Sequence, residues 1–185
     1  MQLFKYILIL TIITLTSCKD DETLPKPNGY LRLDYPKARY QKSVTPSYEF
    51  ETNKNTIILV NEKNWMRIKY PKIRATLDIT YRTVNNNIKE LLKETEKLTL
   101  KHALKADAIY YDTFDNIDKN VYGKLNNVTG NAASPIQFHI TDSTKNFLVG
   151  ALYFNTHPNY DSIYPAIKYI EKDIKRLIST TEWRN

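Results

Sequence analysis

Residues 73–105 read IRATLDITYRTVNNNIKELLKETEKLTLKHALK, and their period changes partway. Over the first part Ile73, Ala75, Leu77, Ile79 and Tyr81 alternate with Arg74, Thr76, Asp78 and Thr80, the period of two that a strand shows when one face meets a core. From Ile88 the period is 3.6: Ile88, Leu91, Leu92, Thr95, Leu98, His102 and Ala103 share a stripe, with Lys89, Glu90, Lys93 and Glu94 opposite. Asn87, followed by Glu90, can cap this helix at its start, and the pattern ends near Lys105.

Strand signals lie on both sides of the helix. Downstream, Ala106 to Thr113, Asn120 to Leu125, Ile136 to Thr141 and Phe147 to Phe154 read as strands, the last two joined by Asp142-Ser143-Thr144-Lys145, rich in turn formers. Upstream, Tyr48 to Glu51 and Thr56 to Val60 flank an Asn53-Lys54-Asn55 turn. YLRLDYPKARY (30–40) aligns without gaps to WMRIKYPKIRA (65–75), which predicts two strands in similar settings, each closed by a proline that cannot donate to a ladder. A second helix is expected from about Ser162, capped by its hydroxyl and tolerating Pro165 in the first turn. Its stripe is Ile163, Ala166, Ile167, Ile170, Ile174, Leu177 and Ile178. Runs of strands with one helix among them and one at the end indicate an α+β fold, a mostly antiparallel sheet packed by two amphipathic helices. The element order also resembles Mog1/PsbP-like folds, an analogy of order that says nothing of function.

The 185 residues, 42% hydrophobic and 25% charged, exclude solenoids, collagen and wholesale disorder. The chain divides into a lipoprotein signal peptide at 1–17, a lipidated tether at 18–29 and one α+β domain at 30–185. In MQLFKYILILTIITLTSC (1–18), a lysine precedes an apolar run and small residues precede a cysteine, the pattern of a secretory signal. The run from Tyr6 to Thr16 is about 11 residues, where a helix spanning a bilayer needs roughly 20. Leu15-Thr16-Ser17-Cys18 matches the bacterial lipobox, in which the cysteine receives the lipid. Cys18 is the chain's single cysteine, so it has neither a disulfide partner nor a second thiol for a metal site, and several acyl chains on it give a stable anchor. Lys19-Asp20-Asp21-Glu22 resembles the Lys-acidic signal that sends some lipoproteins of Bacteroidetes to the cell exterior, although a short charged run also reads as solvated tether. Thr23 to Gly29 then reads as an extended spacer.

No catalytic motif appears. The three histidines, His102, His139 and His157, have neither HExxH nor zinc-finger spacing, and no metal or other cofactor is implied. Ser134, His139 or His157, and Asp161 could supply a hydrolase trio, but no GxSxG elbow surrounds Ser134. The reading is therefore non-enzymatic, with an envelope hydrolase or a glycan-binding module as the alternative. The formal net charge is +7. Arg32, Lys37, Arg39, Arg67, Lys69, Lys72 and Arg74 cluster around the repeated segments among aromatics, a composition that suits single-stranded nucleic acid. Export argues against that partner and favours an acidic protein, anionic headgroups or plain solubility. No small-molecule substrate is identified.

Several stretches together resemble the gliding motility lipoprotein GldD family of Bacteroidetes: the lipobox, PKP at 25–27 with YLRL at 30–33, WM at 65–66 with YPK at 70–72, KHALKAD at 101–107, GNAAS at 130–134, QFHITDSTK at 137–145, LYFN at 152–155 and PNYDS at 158–162. The resemblance runs in order through nearly the whole chain. It implies a lipid-anchored envelope component needed for gliding, linked to the machinery of type IX secretion and working through other gliding or envelope proteins, with the outer membrane the favoured site. The family supplies no catalytic residues to carry over. Within its blocks Asn131, Ser134, Gln137 and Thr141 form a polar segment to consider as an interaction surface, together with Arg32, Arg67, Lys69 and Lys72. Asp142-Ser143-Thr144 and Asp161-Ser162-Ile163 resemble the O-glycosylation sites of this bacterial group, Ser143 being the candidate acceptor.

Overall fold

The chain order is β1 (Tyr40–Val44), β2 (Tyr48–Asn53), β3 (Ile57–Val60), β4 (Met66–Tyr70), β5 (Ala75–Thr83), α1 (Ile88–His102), β6 (Ala106–Asn116), β7 (Val121–Gly130), β8 (Ile136–Thr141), β9 (Asn146–Phe154), α2 (Tyr160–Thr180) and β10 (Glu182–Trp183). The computed structural model describes residues 32–156 and 159–184. The signal segment, Cys18, the Lys19 to Glu22 run, the tether, His157 and the His102 side chain lie outside what is described.

Strands β3 to β9 form one antiparallel seven-stranded sheet in the order β3-β4-β5-β9-β8-β7-β6, and β1-β2-β10 form a second sheet. The fold is α+β, as the element pattern predicts. Because side chains alternate across a strand, the pairs Ile79↔Gly150, Leu125↔Phe138 and Ile140↔Leu148 put their residues on one face of the large sheet. That face meets α2 and β2. Ile163, Ala166, Ile167, Ile170, Ile174, Leu177 and Ile178 are all buried, in one core with Leu77, Leu125, Phe138, Leu152, Tyr48 and Phe50. Helix α2 also buries Asp173, whose carboxylate accepts from Tyr40 Oη at 2.8 Å and Asn53 Nδ2 at 2.9 Å. These bonds tie the helix to the small sheet, while burial raises the Asp173 pKa above its ordinary value.

The structure departs from the sequence reading at several places. Residues 32–39 form no strand, so the two repeated segments are not two strands in like settings. Leu33 and Tyr35 do turn toward the core, with Tyr35 lying against Tyr169 at 5.6 Å between ring centroids and Pro36 O accepting from Tyr169 Oη at 2.6 Å. Burial thus alternates without a ladder. The neighbouring strand β1 carries no alternating apolar signal, because Gln41, Lys42 and Val44 are exposed and it pairs with β2 as an edge. Asn87 precedes α1, but its side chain accepts from Asn85 N at 2.8 Å rather than capping the helix. Asn159, not Ser162, caps α2, accepting from Ser162 N at 3.3 Å. The helix therefore begins earlier than expected, and Pro165 lies beyond its first turn.

Phe138 on β8 fills the space above Gly150 on β9, where an added Cβ would lie 2.1 Å from the phenylalanine ring. Since Phe138 is 1% exposed, it has no room to move aside. Gly150→Ala is expected to destabilise the fold by about 1–3 kcal/mol, as overpacked cores do. Urea denaturation checks this, and adding Phe138→Leu should recover part of the loss.

Candidate functional site

The other face of the large sheet carries Phe147 and Val149 of β9, His139 of β8, and Lys124 and Asn126 of β7, brought side by side by the register His139↔Val149, Lys124↔His139 and Asn126↔Gln137. Helix α1 lies on this face. Ile88 and Leu91 pack against Phe147, Val149 and Val84 in a small cluster separate from the main core. Farther along α1 the buried positions are Thr95 and Thr99, and Leu92, Leu98 and Leu100, expected in part to face a core, are 37%, 40% and 58% exposed. A cleft of about 300 Å³ opens there between α1 and the sheet, with Leu92, Thr99, Leu100, Ile109, Lys124 and His139 among its walls.

The His139 ring is stacked on Phe147, with centroids 5.8 Å apart and planes at 12°. Burial lowers its pKa from 6.5 to about 4, the nearby charge of Lys124 adding to the effect. His139 is thus neutral at physiological pH. Ser134 is not its partner, since the serine hydroxyl is fully buried and donates to Ile136 O at 3.1 Å. Asp161 lies in the first turn of α2. No hydrogen bond joins these members of the hydrolase trio in the described residues.

Three of the four residues in the predicted polar segment are interior. Ser134, Gln137 and Thr141 are 0%, 4% and 5% exposed, which removes them as a side-chain docking surface. Their bonds hold local backbone: Gln137 Nε2 donates to Ser134 O at 3.3 Å, and Thr141 Oγ1 donates to Asn146 O at 2.6 Å. Asn131 is exposed, its Oδ1 accepting from Tyr160 N at 3.3 Å. Ser143 is exposed on the β8–β9 turn at φ 66°, a turn held by Asp142 Oδ1 accepting from the backbone N–H groups of Thr144, Lys145 and Asn146. Those bonds hold the Asp142 pKa below its ordinary value against the opposing effect of burial.

Of the basic residues, Arg67 is paired with Asp78 through Nε at 2.6 Å and Nη2 at 3.2 Å. Lys72 bonds to Asp34 at 2.7 Å, while Arg32 and Lys69 are exposed. Lys72 and Asn131 stand at the same end of the sheet, where β4 and β7 finish and β5 and β8 begin. A larger cleft of about 610 Å³ at the opposite end contains Asp118, Asp142, Glu182 and Trp183. Its groups are partly committed: Lys119 pairs with Glu182 at 2.9 Å and Trp183 Nε1 donates to Asn120 O at 2.9 Å.

A family model described as Gliding motility lipoprotein GldD matches residues 20–183. The chain belongs to the gliding motility lipoprotein GldD family. No curated protein matches it. Membership implies a membrane-anchored protein of the cell envelope with a role in gliding motility, in a family not known for enzymes. No helix among the described residues is long and apolar enough to cross a membrane. Among the same residues no group of three or more His, Cys, Asp or Glu side chains is placed to hold a metal ion. The sequence reading did not single out Thr99 and Lys124, which line the α1 cleft. The available signal was threonine at two successive inward positions of an otherwise leucine-bearing helix.

His139 gives this GldD-family fold a pH dependence whose sign follows from linkage. Its folded pKa of about 4 lies below the 6.5 of a free imidazole, so the unfolded chain binds the proton more readily and stability is lost as pH falls from 6.5 toward 4. The contribution of His139 should fall by at most about 1.4 kcal/mol per pH unit. Urea midpoints across this window, compared with those of His139→Leu, should show a steeper loss in the parent chain.

Proposed function

We propose that this GldD-family chain is a non-catalytic lipoprotein, anchored through Cys18 in the outer membrane, that supports assembly or operation of the gliding and type IX secretion machinery through protein contacts. The observation that carries the reading is the family match over residues 20–183. The lipobox supports the anchor. The contact face is assigned to the exposed Arg32 and Lys69 with the neighbouring Arg67 and Lys72, and to Asn131 at the Lys72 end of the sheet. Two of these cations already have carboxylate partners, so the patch presents fixed, partly compensated charge suited to an acidic protein surface.

Photo-crosslinking from position 69 in intact cells of the native host, followed by mass spectrometry, is expected to capture gliding or secretion components. Normal expression and anchoring with no such component captured would contradict the contact face. Replacing both Ser134 and His157 by alanine should leave colony spreading intact. Lost spreading at an unchanged protein level would instead support a hydrolase.

Ser143 is the proposed O-glycan acceptor, its place on an exposed turn supporting access. Protein from the native host should weigh more than polypeptide plus lipid, and Ser143→Ala should remove the excess. A mass of polypeptide plus lipid alone rejects the modification.

A further inference from the structure

Beneath the C-terminal half of α1, polar groups are left without partners among the described residues. The positions that follow Leu91 down the inward side of the helix are Thr95 and Thr99. Thr95 Oγ1 donates to Leu91 O at 2.9 Å. The Thr99 hydroxyl, on a residue 6% exposed, has no hydrogen-bond partner among the described residues, and neither has Nδ1 of His139 across the cleft. Native folds hold few such atoms, because each forfeits its bonds to water.

Charge and apolar surface at the same place narrow what fits. Lys124 is half-buried and has no carboxylate partner among the described residues; its ammonium sits 4.1 Å from the centroid of the Tyr111 ring. Glu96 also borders the cleft, where it is exposed to water. Of the two charges, the cation is the less exposed to water. Leu92, Leu100 and Ile109 add apolar walls that are 37%, 58% and 37% exposed. One unpaired cation matches a singly charged anion better than a phosphate dianion. The neutral His139 imidazole can carry its proton on Nδ1 and donate it, as can the Thr99 hydroxyl.

We propose that this cleft binds a small amphipathic carboxylate, its acyl or aryl body between Leu92, Leu100 and Ile109 and its carboxylate at Lys124, facing Thr99 and His139. The volume of about 300 Å³ lies at the small end of the range for ligand sites. The site stands on these groups alone and is independent of the partner proposed for the basic patch.

The test uses the full lipidated chain in nanodiscs, with methyl and histidine-ring NMR signals followed while 4-phenylbutyrate is added, and empty nanodiscs as the blank. The expected result is a saturable shift of the Thr99 and Ile109 methyls and of the His139 ring. Affinity should fall at least about tenfold for Lys124→Met, and also for Thr99→Val, which replaces the hydroxyl by a methyl of similar size. Uncharged 4-phenylbutanol should bind at least about tenfold more weakly. Circular dichroism confirms that each variant is folded. Absence of a saturable shift, unchanged affinity in both folded variants, or equal binding of the alcohol would overturn the proposal.

Discussion

The large antiparallel sheet has two faces, and each has to be covered or left to water. On one side the isoleucine stripe of α2 meets Leu77, Leu125, Phe138 and Leu152, and β2 adds Tyr48 and Phe50 to the same core. This contact forms the main core of the domain. It brings Asp173 to Asn53 and Tyr40, while Glu171 on the same helix pairs along it with Lys168 and Lys175. Asp173 and Glu171, both buried, are thus answered by named donors, which is the condition for burying them at tolerable cost.

The opposite face is closed by a weaker helix. Leu91 anchors α1 over Phe147, and the inward positions beyond it are threonines. Across from them the strands present Lys124, Asn126 and His139. A helix packed only for stability would continue its leucines inward, whereas here Leu92, Leu98 and Leu100 remain in contact with water. The face that gives up apolar burial is also the one where, among the described residues, Lys124 has no carboxylate partner and Thr99 Oγ1 and His139 Nδ1 have no hydrogen-bond partner, so the two sides of one sheet differ in what they give to stability.

Much of this was legible in the residues. The alternation at Ala75 to Tyr81 and the stripe from Ile163 to Ile178 reported real burial, because a sheet face and a helix side impose those periods directly. Strand β1 was not legible, since its place depends on pairing with β2 and not on its own apolar content. Leu33 and Tyr35 misled in the opposite sense: their alternation records contact with the core, which needs no ladder. Ser134, Gln137 and Thr141 looked like surface by residue type. Their backbone acceptors, Ile136, Ser134 and Asn146, become visible only when β8 and β9 are placed. The cleft was hidden for a related reason, because it joins residues from α1, β6, β7 and β8 that no local spacing connects.

Membership of the GldD family places the chain among envelope lipoproteins of gliding motility, and the fold shows which side of the domain is committed to its own stability. Amide hydrogen exchange tests that division most directly. The account predicts that amides of Ile170 to Leu177 in α2 exchange only with global unfolding, while those of Thr95 to Leu100 in α1 exchange at least about tenfold faster through local opening. Equal protection in the two helices would contradict it.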